Sequence, residues 1–144
     1  MGAGMHPEIL IRSADRAYAV GRKSAGTAVG MVMAFNPTTK ATLWQSAISP
    51  DPSNSSFPTS QAATLYEGKL YLTYKSTTPS ELHLVVFDGA TGKRGMDVKV
   101  PRGHEGTEPN EILVTSQRIY VPHWTWLDIM DSRDGRFIET VGMW

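Results

Sequence analysis

Short runs in which apolar and polar side chains alternate recur along the whole chain. The clearest run, residues 69–75, places Leu70, Leu72 and Tyr74 at one set of alternate positions and Tyr71, Thr73 and Lys75 at the other. Alternation with a period of two is typical of a β-strand whose two faces meet different surroundings. No window of 12 residues shows the apolar stripe of an amphipathic helix. We therefore predict an all-β protein.

A threefold internal repeat organises these runs. In each copy, an alternating run with a tyrosine is followed by an apolar run and then by a polar turn that closes on a basic residue. The tyrosines are Tyr18, Tyr71 and Tyr120, and the closing residues are Lys40, Lys93 and Arg136. A repeat of about 50 residues indicates that the same supersecondary unit is stacked several times.

Each unit divides into four short strands. In the second unit we predict strands at 62–66, 69–75, 81–88 and 93–100, separated by turn residues. The turn at 88–93 begins with Asp88, which can bond its own backbone, and contains Gly92, which tolerates a positive φ. The prediction is three four-stranded antiparallel units at about 6–48, 60–101 and 108–144.

The units resemble β-propeller blades of the pyrroloquinoline-quinone-enzyme-like type and of the related NHL and YVTN repeats. Residues 87–93 match that pattern best. Residues 35–40 with Trp44 are a weaker match, and residues 130–140 look more like an NHL repeat that lacks the final tryptophan. The resemblance implies a propeller, in which the four strands of each blade are ordered from an innermost strand at the central channel to an outermost one.

Three blades do not close a ring, because propellers have four to eight. A second copy related by a two-fold axis would give six blades, with blade three of each chain packed on blade one of the other. We therefore expect a homodimer. The alternatives are a piece of a longer propeller and a ring completed by a different partner.

Charge and composition exclude several classes of function. The 14 basic residues balance the 14 acidic residues, so binding of nucleic acid is not expected. No apolar run approaches the roughly 20 residues that cross a membrane, so no membrane partner is expected. The absence of cysteine excludes disulfides and thiolate-ligated metals. The composition leaves the cellular compartment open.

The loops that would gather at the channel face carry the candidate ligand-binding residues. The richest loop contains Arg102, His104, Glu105 and Glu108, with His123 across the neighbouring loops. A histidine with several carboxylates suits a metal site or a general acid and base, but a solvated acidic loop has the same composition. Because a specific metal-ligand spacing is missing, we predict neither a metal nor a cofactor. His6 and His83 are interpreted as structural.

The run from His123 to Trp126 is the second candidate. On one continuous strand, Trp124 and Trp126 would share a face. An exposed pair would stack against a sugar or another planar ligand, whereas a buried pair would pack between blades. We favour the buried arrangement.

The quinoprotein resemblance also suggests a dehydrogenase, but this chain departs from that family. Those enzymes build their cofactor cavity from eight blades with calcium-binding acidic residues and, in many members, a disulfide. We therefore predict a non-enzymatic scaffold that binds a protein, a peptide or a small ligand. The alternatives are a hydrolase or lyase that uses the histidines and glutamates above, and a lectin-like sugar binder that uses the two tryptophans.

Overall fold

The computed structural model describes residues 5–23, 29–51, 55–56, 62–77, 79–101, 111–123 and 125–142. These ranges form thirteen β-strands. None of these ranges includes a helix that could span a bilayer. The strands are β1 (Met5–Arg12), β2 (Ala17–Lys23), β3 (Gly30–Phe35), β4 (Thr42–Ala47), β5 (Ser55–Ser56), β6 (Ala63–Tyr66), β7 (Lys69–Thr77), β8 (Ser80–Asp88), β9 (Arg94–Lys99), β10 (Leu113–Val114), β11 (Arg118–His123), β12 (Trp126–Asp131) and β13 (Phe137–Gly142).

The strands form three antiparallel sheets that follow the chain order. Blade one is β1–β4, blade two is β6–β9, and blade three is β10–β13. The prediction of three four-stranded antiparallel units in an all-β chain is confirmed. Within blade two, the strand bounds agree with the predicted ranges to within two residues.

Blade two differs from the prediction at its first strand, which is in two pieces. β6 pairs with one end of β7, from Lys69 to Leu72, and the two-residue strand β5 pairs with Lys75 and Ser76 further along the same edge. The long strand β7 therefore has two partners on one side, and the sheet contains five strands.

The turn between the third and fourth strands is closed by the same backbone hydrogen bond in all three blades, from the amides of Lys40, Gly92 and Gly135 to the carbonyls of Asn36, Asp88 and Asp131. The Asp88 carboxylate accepts hydrogen bonds from the amides of Ala90 and Thr91, both at 2.9 Å. These amide hydrogen bonds hold the pKa of Asp88 below its usual range, and the bond from Thr91 has the largest effect. Gly92 closes the turn at φ 75°, a conformation that suits glycine.

Two apolar clusters fill the spaces between the blades. Blades one and two enclose Val20, Val32, Leu72, Val85 and Phe87, among other side chains. The opposite face of blade two packs on blade three through a second cluster that includes Leu84, Val86, Ile119, Val121 and Met130. Alternation along β7 and β8 thus gives blade two one apolar face for each neighbour.

Candidate functional site

The structure places only two of the seven predicted site residues. His123 and Trp126 lie in described ranges, whereas Arg102, His104, Glu105, Glu108 and Trp124 lie outside the described residues. The acidic loop with its arginine therefore stays a prediction.

His123 is buried between blades two and three. Its side chain, at the end of β11, is 2% exposed, and Nε2 lies 3.2 Å from Oδ2 of the fully buried Asp128. The other oxygen of Asp128 accepts a 2.6 Å hydrogen bond from the Thr140 hydroxyl. His123 therefore takes part in a buried network and is out of contact with solvent.

Trp126 does not continue the strand that carries His123. The chain reverses between them, and the two residues face each other as the paired ends of β11 and β12. The strand alternation that put Trp124 and Trp126 on one face does not apply across this reversal. Trp126 itself is half-buried.

A polar cluster between blades one and two was not predicted as a site. It lies on the face of blade two that packs on blade one, near the loop that joins β7 to β8. Its members come from three neighbouring strands: Tyr74 and Ser76 from β7, Glu81 and His83 from β8, and Arg94, Asp97 and Lys99 from β9.

The imidazole of His83 is at the centre of this cluster. Its ring stacks on that of Tyr74, with 4.8 Å between centroids and 9° between planes. One ring nitrogen, Nδ1, lies 3.5 Å from Asp97, and the other, Nε2, lies 3.5 Å from Glu81. Two carboxylates on opposite sides of the ring fix its orientation.

Asp97 links this histidine to a buried phenol and to blade one. The Tyr74 hydroxyl donates a hydrogen bond to Asp97 at 2.8 Å. Burial, and after it this hydrogen bond, raises the pKa of Tyr74 well above its ordinary value. The Arg94 guanidinium lies 3.6 Å from Asp97 and donates to the carbonyls of Ala47 and Ile48 in blade one. The cluster therefore ties the two blades together.

Ser76, His83 and Asp97 are arranged like the serine, histidine and aspartate of a catalytic triad, but the serine hydroxyl donates its hydrogen bond to another group. Ser76 Oγ is 3.3 Å from His83 Nε2, yet it donates a 2.7 Å hydrogen bond to the carbonyl of Pro79. A general base must accept the proton of the nucleophile. This serine is held as a structural donor, so the arrangement lacks an activated nucleophile.

Strand register explains why the sequence did not reveal this cluster. His83 was interpreted as structural because it lies inside a strand. Asp97 reaches the same face only through the bulge between β8 and β9, where the pairing shifts between Val85 and Phe87. A one-residue shift moves a side chain to the other face, and nothing in the sequence fixes it.

The quinone cofactor implied by the family resemblance would need acidic ligands for its metal. Within the described ranges, His, Asp and Glu residues do not gather in any group of three or more that could hold a metal ion. The described residues therefore do not supply such a cradle.

Comparison with known proteins relates the chain to larger enzymes by fold alone. No family model matches the sequence, and no curated protein matches it either. Among solved structures, a europium-containing methanol dehydrogenase aligns with 97% of this chain at 15% identity and a TM-score of 0.62. The quinohaemoprotein alcohol dehydrogenase ADHIIG from Pseudomonas putida HK5 aligns with 92% at 14% identity and a TM-score of 0.64.

The chain spans about a quarter (26%) of the first of these proteins and a fifth (20%) of the second. Three antiparallel sheets in chain order, packed face to face, account for the similarity. The fold of this chain is that of three β-propeller blades of the type found in quinone-dependent alcohol dehydrogenases.

Proposed function

We propose that the chain is a non-enzymatic propeller scaffold that pairs with a second copy to complete a ring and binds its ligand at the loop end of the blades. One observation carries the proposal: the outer face of blade three has the composition and register of a blade interface, but the described part of the chain leaves it uncovered.

The pairing of strands supports the view that the outer face of blade three is equivalent to the faces by which blades one and two pack on the next blade. Facing the next blade, Tyr18 pairs with Ala34 in blade one, Tyr71 pairs with Val86 in blade two, and Tyr120 pairs with Ile129 in blade three. The first two pairs are buried, with Tyr18 3% and Tyr71 5% exposed. Tyr120 and Ile129 are only half-buried, because the described residues form no further blade that would cover them.

The uncovered face extends over much of blade three. Leu113 is 61% exposed and Val141 is 39% exposed. Between these two lies a surface groove of about 310 Å³ whose lining includes Tyr120, Pro122 and Leu127. Apolar patches of this kind mark association sites.

Blade one of a second copy is the occupant that we propose. Leu10, which is 66% exposed, alternates along β1 with Ile9 and Ile11, which pack toward blade two, so Leu10 points away from that blade. Ala19 and Met33 on the same side are buried, so among the apolar side chains of β1–β3 Leu10 is the large one that is exposed on this face. First strands of neighbouring blades touch in this chain, β1 with β6 and β6 with β10. In the dimer, β10 of one copy would therefore lie beside β1 of the other.

The ligand-binding part of the proposal rests on where polar side chains meet the loops. Glu81, His83 and Lys99 are partly exposed at the loop end of blade two. The predicted residues Arg102, His104, Glu105, Glu108 and Trp124 belong to neighbouring loops in the sequence, and we propose that they extend this surface. His123, which is 2% exposed, would support the surface from beneath.

Disulfide trapping tests the assembly, since the chain has no native cysteine. Two single variants, Leu10→Cys and Leu113→Cys, are mixed and oxidised. A disulfide needs Cα atoms within about 7 Å of each other, so only neighbouring positions are captured. We expect the unlike pair to form in preference to either like pair.

Leu43→Cys is the matched control, because Leu43 is also exposed, at 48%, but lies on the fourth strand of blade one. It should not be captured by Leu113→Cys. If Leu10→Cys and Leu43→Cys gave equal capture, or if neither gave any, the proposed pairing would be wrong.

A further inference from the structure

The joint between blades one and two is closed by a tryptophan. The indole of Trp44 packs against the turn glycine Gly92, and its Nε1 donates a 3.0 Å hydrogen bond to the carbonyl of Gly89. The same carbonyl also accepts from the Tyr18 hydroxyl at 3.1 Å and from Arg16 at 3.0 Å. Three donors from blade one thus meet at one oxygen in blade two.

The equivalent joint between blades two and three lacks that indole. Met96 lies against Gly135 as Trp44 lies against Gly92, so a shorter side chain without a donor takes the place of the tryptophan. Ser132 is equivalent to Gly89, and in the described part of the chain no donor bonds its carbonyl. The counterpart of Tyr18 is Tyr71, whose hydroxyl makes no hydrogen bond to any described residue.

A pocket of about 240 Å³ lies at this second joint. Its walls include Tyr71, Val86, Met96 and Ser132. Tyr71 is 5% exposed overall, and burial raises the pKa of its hydroxyl, which therefore stays protonated as a donor. Among the described residues the Tyr71 hydroxyl is not one of the buried polar atoms left without a partner, so it is accessible to solvent and can donate to a ligand in the pocket that Tyr71 lines.

Basic side chains line the pocket in excess of acidic ones. Lys69, Lys93 and Arg133 all contribute to its wall, together with one carboxylate, that of Asp88. The Asp88 carboxylate accepts hydrogen bonds from the amides of its own turn, and the Arg133 guanidinium forms an ion pair with Asp131 at 2.8 Å. The two lysines have no ion-pair partner within hydrogen-bond distance among the described residues.

We propose that this pocket binds a small planar aromatic molecule that carries one carboxylate. The ring replaces the missing indole between Met96 and Val86. The Tyr71 hydroxyl donates a hydrogen bond to an acceptor atom of the ligand, and the ligand carboxylate faces Lys69 and Lys93. At this volume the site suits a molecule of one or two fused rings, smaller than the ligands of typical pockets of about 300–1,000 Å³.

Calorimetric titration of the whole chain with indole-3-acetate tests the proposal. Indole and acetate are the matched probes for the ring alone and the charge alone. We expect saturable binding of indole-3-acetate, weaker binding of indole, and none of acetate. In protein with 13C-labelled methionine methyl groups, the Met96 signal should shift, whereas that of the buried Met33, which belongs to blade one, should not.

Variants separate pocket binding from binding elsewhere. Met96→Trp should fill the pocket and abolish binding, while Met96→Leu should retain it. Tyr71→Phe keeps the shape but removes the donor and should weaken binding roughly tenfold. Lys69→Met should weaken indole-3-acetate roughly two- to fivefold and leave indole unchanged. The absence of saturable binding at millimolar concentration would overturn the proposal, as would binding that both Met96→Trp and Tyr71→Phe leave intact.

Discussion

Trp44 and Gly92 lie so close that a Cβ on the glycine would fall 2.5 Å from the indole carbon Cδ2. They belong to different blades, so the contact locks blade one onto blade two. Glycine suits this position for two reasons, its φ of 75° and the space that the indole occupies.

Replacing this glycine should therefore cost more than backbone strain alone. We expect Gly92→Ala to lower the free energy of unfolding by about 3 kcal/mol, since it combines a left-handed alanine with displacement of the indole. Gly68→Ala is the matched control, because Gly68 has φ 77° and a Cβ there would meet nothing within 4 Å. Its cost should be about 1 kcal/mol. Urea unfolding measures both, and equal losses would show that the contact with Trp44 contributes nothing.

The buried position of His123 predicts protection from chemical modification. Diethyl pyrocarbonate should modify the exposed His6 in the native chain and leave His123 unmodified until the protein unfolds. Mass spectrometry of digested protein gives the extent at each site. Modification of His123 at the rate of His6 under native conditions would place it at an open surface and contradict the structure.

Asp131 should make stability depend on pH in the acid range. Hydrogen bonds from the Arg133 side chain and backbone hold the pKa of Asp131 far below its ordinary value of 3.8. A carboxylate with a depressed pKa stabilises the fold above its unfolded pKa, and that contribution is lost as pH falls toward the folded pKa. Wild-type stability should therefore decline steadily below about pH 4.

Asp131→Asn should reduce this decline while keeping the turn. Asparagine suits the position, because Asn36 at the same place in blade one accepts hydrogen bonds from the amides of Thr38 and Thr39. Thermal unfolding at several pH values between about 5 and 2 gives the comparison. An unchanged acid decline in the variant would show that other carboxylates cause it.

Tyr74 should contribute to stability at neutral pH and cease to do so in alkali. Tyr74→Phe removes the 2.8 Å hydrogen bond to Asp97 and should cost about 1–3 kcal/mol, because the acceptor is charged. Since the folded pKa of Tyr74 is raised, its contribution is complete below the ordinary pKa of 10.0 and is lost as pH rises above it. Wild type should therefore lose stability above about pH 10 more steeply than the variant. Tyr66→Phe in β6 is the control, because it removes a tyrosine hydroxyl that is outside the contact with Asp97, and an equal cost there would contradict this role.

The sequence was sufficient for the blades because their signals are local. The alternation along residues 69–75 and the turn that begins at Asp88 depend on neighbours in the chain, and the structure reproduces both. The split first strand of blade two was not predictable in this way. It depends on which part of the long edge of β7 each segment can reach, which is a question of tertiary pairing.

The candidate sites depended on side-chain direction, which the sequence does not fix. His123 looked available because it borders a loop, yet its strand position turns it toward blade two and Asp128. His83 was interpreted as structural, and its meeting with Glu81 and Asp97 needed the pairing register of three strands. The pocket beside Met96 could not be predicted from the sequence, because it depends on how Met96 packs against Gly135 where Trp44 packs against Gly92.

Solution mass tests the central claim of ring completion most directly. Light scattering on a size-exclusion column should give roughly twice 15.8 kDa for the wild-type chain. Ile129→Asp, which puts a charge on the open face of blade three, should give 15.8 kDa while remaining folded. A wild-type mass of 15.8 kDa at every concentration would contradict pairing between copies of this chain.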